Sequence, residues 1–267
     1  MINFFRKIRY NLMEQNPTIG RSGKTGKPAF AASKYFKYAI GEIVLVVIGI
    51  LIALSINNWN ENQQLKQEER TSLNALLSEF KENKISIQKC LDNIKERRLI
   101  GDTLRKMIGP KLTTVSIDKT NRLIGGISAT NKCIVSKDAL GDIKSSGKLN
   151  LLTNKNIRQN ISKWTSLLNR LQGEENDWAQ EFANQFIPYA NKWIMWDDVD
   201  VKFNKEDSRY FNSPFTEDPR RMLQQKEFAN ILAIQYWRIN RGEIRTNSLI
   251  IQNNKLIALI DEELKTN

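Results

Sequence analysis

The chain has no histidine. Imidazole is the commonest general base at neutral pH and the commonest metal ligand, so histidine-based catalysis and histidine-ligated metal centres are excluded. Cysteine is nearly absent too. Cys90 and Cys133 are the only two, which rules out a four-thiolate zinc site. They would form one disulfide if the C-terminal part lies in an oxidising compartment, and otherwise remain two half-buried thiols. Between Glu61 and Ile100 there is neither proline nor glycine, and strand signals are scarce throughout.

Phosphate-loop chemistry is not supported. Gly23-Lys24-Thr25 is suggestive, but Thr18 stands where the pattern needs glycine and no strand precedes it. Four Ser-x-x-Lys pairs (Ser78/Lys81, Ser86/Lys89, Ser116/Lys119 and Ser145/Lys148) lack an accompanying Ser-Asp-Asn. Asp197, Asp198 and Asp200 lack the spacing of a calcium loop and read as a solvated loop. Glu174, Glu175 and Asp177 read as an acidic helix face. The sequence thus offers no catalytic set, no cofactor site and no metal site.

What is present is charge, unevenly placed. The net charge is +12. Residues 1–38 hold eight basic side chains against Glu14 alone, so seven of the twelve excess charges lie in one seventh of the chain. They abut the most hydrophobic segment, Ala39–Ile56 (AIGEIVLVVIGILIALSI). This is the pattern of a topology signal and not of a nucleic-acid groove. At 1.5 Å per residue the segment spans about 27 Å, the hydrocarbon thickness of a bilayer. Tyr35, Phe36 and Tyr38 flank one end and Trp59 the other, as interfacial rings do.

Ala53-Leu54-Ser55 resembles a cleavage site, but the preceding region is long for a signal peptide, so the segment reads as a retained anchor. The positive-inside rule then puts the N-terminus in the cytoplasm and the C-terminal domain outside, in the periplasm of a cell with an inner membrane. Glu42 is the one ionisable group of the span. It lies in the first turn, where the interface, Lys37 and the positive end of the helix dipole all accommodate an acid, and it is also a functional candidate. Gly49 and Ala53 form a small-xxx-small pair that would let two spans approach as a homodimer. Ile2, Phe4, Phe5, Ile8, Leu12 and Met13, mixed with Arg6, Lys7 and Arg9, would lie on the anionic inner leaflet as a helix. Residues 16–33 read as a flexible linker, and the tail is too small for a kinase, cyclase or conventional DNA-binding domain.

Beyond the span, Leu73, Leu76, Phe80, Ile87 and Ile94 recur at helical spacing, with Leu77 and Leu91 widening the stripe. They predict a long amphipathic helix over 61–100, continuous with the span. Gly109-Pro110 breaks it. A short helix is expected over 116–124, stopped by Gly125-Gly126. Another begins at Ser136 and ends near Ser146, with Gly147 as its left-handed terminator. Thr153 caps a helix reaching about Phe186, and Pro188 disturbs a segment ending near Trp196. Residues 197–218 read as a loop. A last long helix covers 225–264, with a kink or break at Gly242. The tryptophans 164, 178, 193, 196 and 237 read mostly as core, one or two of them as anchors for a partner. The expected fold is all-α, one N-terminal transmembrane helix (39–56) followed by a bundle of long antiparallel helices (57–267).

Three segments carry a family resemblance. MINFFRKIRYNLM and KYFKYAIGEIVLVVIGILIALSINNWNE closely resemble the opening of an uncharacterised family of single-span proteins abundant in the Bacteroidota. SKDALGDIKSSGKLNLLTN (136–154) resembles a second landmark of that family, and residues 16–33 look like an insertion. The resemblance implies topology and an envelope location, and assigns no catalytic residue. Together these readings predict a membrane-anchored binding or scaffold module. Its expected partners are membrane lipid and an envelope protein or ligand, with no nucleic acid. An enzyme using a carboxylate pair on envelope polymers is the alternative, and a receptor with a separate cytoplasmic effector a third reading.

Overall fold

The computed structural model describes residues 29–129, 132–200, 214–215 and 217–266. Every regular element among them is helical. Helix α1 (Ala29–Met107) carries no proline, and nothing interrupts its hydrogen-bond ladder until the chain nears Gly109-Pro110. Helices α2 (Ile117–Ser128) and α3 (Asp138–Ser145) and a 3₁₀ turn (Lys148–Leu151) come next. Helix α4 (Lys155–Glu181) passes through a π turn (Phe182–Phe186) into the short α5 (Ile187–Ala190). After α6 (Trp196–Asp200) and a 3₁₀ turn (Pro219–Gln224) comes α7 (Lys226–Thr266). The expected amphipathic N-terminal tail lies outside the described residues. Helix α1 already begins at Ala29, inside the stretch expected to be linker.

The chain divides into two compact units, 1–61 and 62–267. In the first, every side chain from Ala39 to Glu61 is exposed. It contains the run long and apolar enough to cross a membrane.

The second unit has two apolar cores. Leu73, Leu76, Phe80 and Ile87 of α1 share the first with Leu140 and Ile143 of α3, Ile157, Trp164 and Leu168 of α4, and Leu249, Leu256 and Ile260 of α7. The second joins Leu104 and Met107 of α1 to Ile124 and Ile127 of α2. It adds Trp178, Phe182, Phe186 and Tyr189, Met222 and Leu223, and Phe228, Leu232 and Ile239 of α7. Full burial of each such side chain contributes about 1.5–3 kcal/mol.

Polar keys fix how the helices of this unit meet. The Trp164 indole N–H donates to Asn253 Oδ1 at 3.1 Å, and Asn253 Nδ2 donates to the Phe80 carbonyl at 2.8 Å, so one buried amide ties α4 and α1 to α7. Ion pairs Lys81–Asp261 (3.7 Å) and Arg98–Glu243 (3.3 Å) link α1 to α7. Two buried carboxylates of α1 serve chain segments far along the sequence. Glu79 accepts from the backbone N–H of Ala139 (3.0 Å) and Leu140 (3.1 Å) and from Ser136 Oγ (2.8 Å). Glu69 accepts from Thr153 N (2.6 Å) and Oγ1 (2.9 Å). Glu79 thereby satisfies N–H groups that α3 cannot satisfy itself, and its charge favours the positive end of that helix.

Several local expectations change. Gly125 and Gly126 do not stop α2 but lie inside it. A Cβ on Gly126 would stand 2.6 Å from Ile100 Cδ1, so a side chain there would require the Ile100 end group to shift. Ser136 accepts from Asp138 N (3.2 Å), yet the principal cap of α3 is Glu79. Asn154, and not Thr153, caps α4, its Oδ1 accepting from Asn156 N and Ile157 N. Pro188 does not end the helical run. The π turn just before it re-spaces the carbonyls that a proline in a regular helix would meet. Helix α7 runs unbroken through Gly242. Within the expected loop 197–218, Asp197 and Asp198 begin α6, and residues 201–213 lie outside the described residues. Gly147 does adopt the left-handed conformation expected of it (φ 72°).

Candidate ligand-binding cleft

The two cores are separated by one helical level at which apolar stripes fail on three helices at once. On α4 the inward positions between Leu171 and Trp178 carry Glu174 and Glu175. On α7, between Ile239 and Leu249, they carry Gly242 and Thr246, and on α1, between Ile94 and Leu104, Arg97 and Gly101. Large apolar groups cannot close this level, and a cleft of about 880 Å³ opens there. Its volume falls in the range of small-ligand sites. Cys90, Ile94, Leu171, Trp178 and Ile239 form its floor, and Lys132 and Ile134 close one wall.

That wall is fastened twice. Cys90 and Cys133 form a disulfide, with Cα atoms 5.4 Å apart. The Glu175 carboxylate accepts from Cys133 N at 3.1 and 3.3 Å. Burial pushes the Glu175 carboxyl above its ordinary range, against the opposing pull of that hydrogen bond and of Lys132 and Arg97.

The charges of the cleft are unequally paired. Glu174 holds Arg241 (3.1 Å), Arg245 (3.2 Å) and Arg170 (3.6 Å). Arg238 pairs with Glu181, and Lys132 reaches Asn176 Oδ1 at 3.0 Å. Arg97 lies over the Trp178 ring, 4.3 Å from its centroid, and its Nε is buried without an acceptor. Burial lowers its pKa to about 10, with Glu175 acting in the opposite direction. Trp178 in turn donates to Gln235 from the buried side. The three carboxylates of the cleft, Glu174, Glu175 and Asp177, all belong to α4, so no pair of acids faces across it.

Glu174, Glu175 and Asp177, expected as an acidic helix face, all line the cleft from one stretch of α4, the first two half-buried and Asp177 exposed. Trp164 and Trp178 are core, whereas Trp237 is 55% exposed at the cleft. Ser86 and Lys89 line the cleft, Ser116 caps α2, and Ser78 and Lys81 are exposed. No group of acids and cysteines able to hold a metal ion occurs among the described residues. The membrane-anchor residues Glu42, Gly49, Ala53 and Trp59 are all exposed. Glu42, Gly49 and Ala53 fall within about 40° of one another around the helix axis. Arg97 and the polar level were not singled out from the sequence, whereas Trp237 was among the tryptophans from which a partner anchor was expected. The signal was there, as arginine, glycine or glutamate wherever the stripe spacing asked for a large apolar residue.

Residues 42–176 match the model of a family of unknown function, DUF6090. No curated protein and no solved structure matches the chain.

Proposed function

This chain belongs to DUF6090, a family of unknown function, and on that premise we propose that it is a single-pass membrane protein whose C-terminal domain binds a ligand or partner outside the cytoplasm. The observation that carries the reading is the exposure of residues 39–56. Twelve large aliphatic side chains of this run, from Ile40 to Ile56, are 45–62% exposed. Leaving them in water would forgo stabilisation on the order of 20 kcal/mol, more than a domain's whole stability. Lipid removes that cost, and the length suits one crossing.

Orientation follows from the basic residues of 1–38, which favour the cytoplasmic side of the inner membrane. A Cys90–Cys133 disulfide suits the oxidising far side. The ion pairs Lys81–Asp261 and Arg98–Glu243, in which numbers rise along α1 as they fall along α7, support an antiparallel bundle as the exported body. Binding, and not catalysis, suits a cleft whose acids all lie on one helix, with Glu174 held by arginines and Glu175 by the backbone. Glu42, Gly49 and Ala53, on one helical face, suit a homodimer of spans.

The test is extraction of membranes containing the full chain. Carbonate at high pH should leave the protein in the pellet, and detergent alone should release it. Release by carbonate, or recovery in the soluble fraction without detergent, would overturn the reading.

A further inference from the structure

Arg97 is a cation of this cleft whose Nε is buried without a hydrogen-bond partner. The lining holds five cationic side chains against three carboxylates. Glu174 is shared among three arginines, and Glu175 is engaged by the Cys133 N–H. Arg238 has Glu181. Arg97 has no ion-pair partner among the described residues, and its Nε has no acceptor. Glu175 acts on Arg97 electrostatically but makes no direct ion pair with it and is itself engaged by the Cys133 N–H, so a guanidinium largely taken out of water is only partly compensated, and an oxyanion on its outer nitrogens would add a direct charge-assisted pair. Arg97 also lines a neighbouring cleft of about 590 Å³ with Lys119, Arg122 and Glu96, where Arg122 is paired with Asp118.

The rim of the same cleft is apolar where it meets water. Ile134 is 80% exposed and Trp237 55%, and both line it. Arg241 lies over the Trp237 ring, 4.7 Å from its centroid, and the indole and the Ile134 side chain still present apolar surface in the same cleft as Arg97, so the cleft offers two chemistries, one for charge and one for an apolar body.

We propose that the cleft binds a small amphipathic anion, with its phosphate, sulfonate or carboxylate group on Arg97 and its apolar body against Trp237 and Ile134. This rests on the reading of the domain as a binding module and names the chemistry of what it binds. The same chemistry is offered by a soluble metabolite and by an anionic lipid headgroup.

The test uses the full chain in nanodiscs of neutral phosphatidylcholine, titrated calorimetrically with phenyl phosphate and, in parallel, with phenol. Phenyl phosphate should bind at least about tenfold more tightly, since a charged hydrogen-bonded pair separates the two ligands. Arg97→Gln should lose that preference, Arg97→Lys should keep part of it, and Lys84→Gln, exposed outside the cleft, should keep all of it. Trp237→Ala should weaken both ligands alike. Repeating the titration in phosphatidylglycerol nanodiscs separates the sources. Weaker phenyl phosphate binding there, absent in Arg97→Gln, assigns the site to a lipid headgroup, and unchanged binding assigns it to a soluble anion.

Equal affinity for phenol and phenyl phosphate, no binding of either, or full retention of the preference in Arg97→Gln would overturn the proposal. Should Arg97→Gln fail to fold, as judged by its helical circular dichroism, the wild-type comparison of the two ligands still decides. Failure here leaves membrane extraction untouched, so the two readings fall separately.

Discussion

Reducing the Cys90–Cys133 bond should destabilise the C-terminal domain by an amount the chain length sets. The cysteines are 43 residues apart in sequence. In the chain-entropy model, closing a loop of that length removes unfolded-state freedom worth about 4 kcal/mol at 25 °C. For a domain of about 200 residues, that shift corresponds to a fall in Tm of about 8–16 °C. Little native packing should offset it, because Cys133 is 3% exposed and its backbone stays bonded to Glu175 after reduction. The assay is thermal unfolding of the full chain in nanodiscs, followed by helical circular dichroism, with and without a phosphine reductant. Cys90→Ala/Cys133→Ala serves as the non-reducible control and should melt with the reduced protein. The bond is verified by mass before melting. An oxidised sample that melts within about 2 °C of the reduced one would refute the reasoning, since the loop length leaves no room for so small an effect.

Three further outcomes are expected. Because burial raises the Glu175 carboxyl, its contribution is most favourable below its unfolded pKa and is lost as pH rises through the higher folded value. Glu175→Gln keeps an acceptor for Cys133 N and should raise Tm at pH 7, with the gain shrinking towards pH 4; a gain larger at pH 4 would contradict this. Asn253→Ala orphans the buried Trp164 N–H and should cost about 1–3 kcal/mol, read as a lower denaturation midpoint. Gly242→Ala adds a Cβ 3.8 Å from Ile94 Cδ1, an ordinary contact, so helix propensity should win and stability should rise by about 1 kcal/mol in the same denaturant assay.

Much of the fold was legible in periodicity. The stripe Leu73, Leu76, Phe80, Ile87 marked the buried face of α1, and Phe228, Leu232, Leu249, Leu256 and Ile260 that of α7. Gly147 announced its left-handed turn. What periodicity could not show was partnership across long separations. Glu79 and Asn83 look like ordinary helix-surface residues until Ser136 is brought against them. Nor does Gly125-Gly126 reveal whether it ends a helix or lies inside one, against Ile100. The cleft was legible only in retrospect, because its signal is the coincidence of Arg97, Glu174, Glu175, Gly242 and Thr246 at one level. That coincidence exists only once three helices are in register.

Reporter fusions read the orientation of the chain directly. Alkaline phosphatase, which folds only after export, should be active when fused after Asn267 and inactive when inserted at Asn16. A fluorescent protein that matures only in the cytoplasm should report the reverse at the same two positions. Phosphatase activity at Asn16 and none at Asn267 would contradict a cytoplasmic tail and an exported cleft, whatever else the helices do.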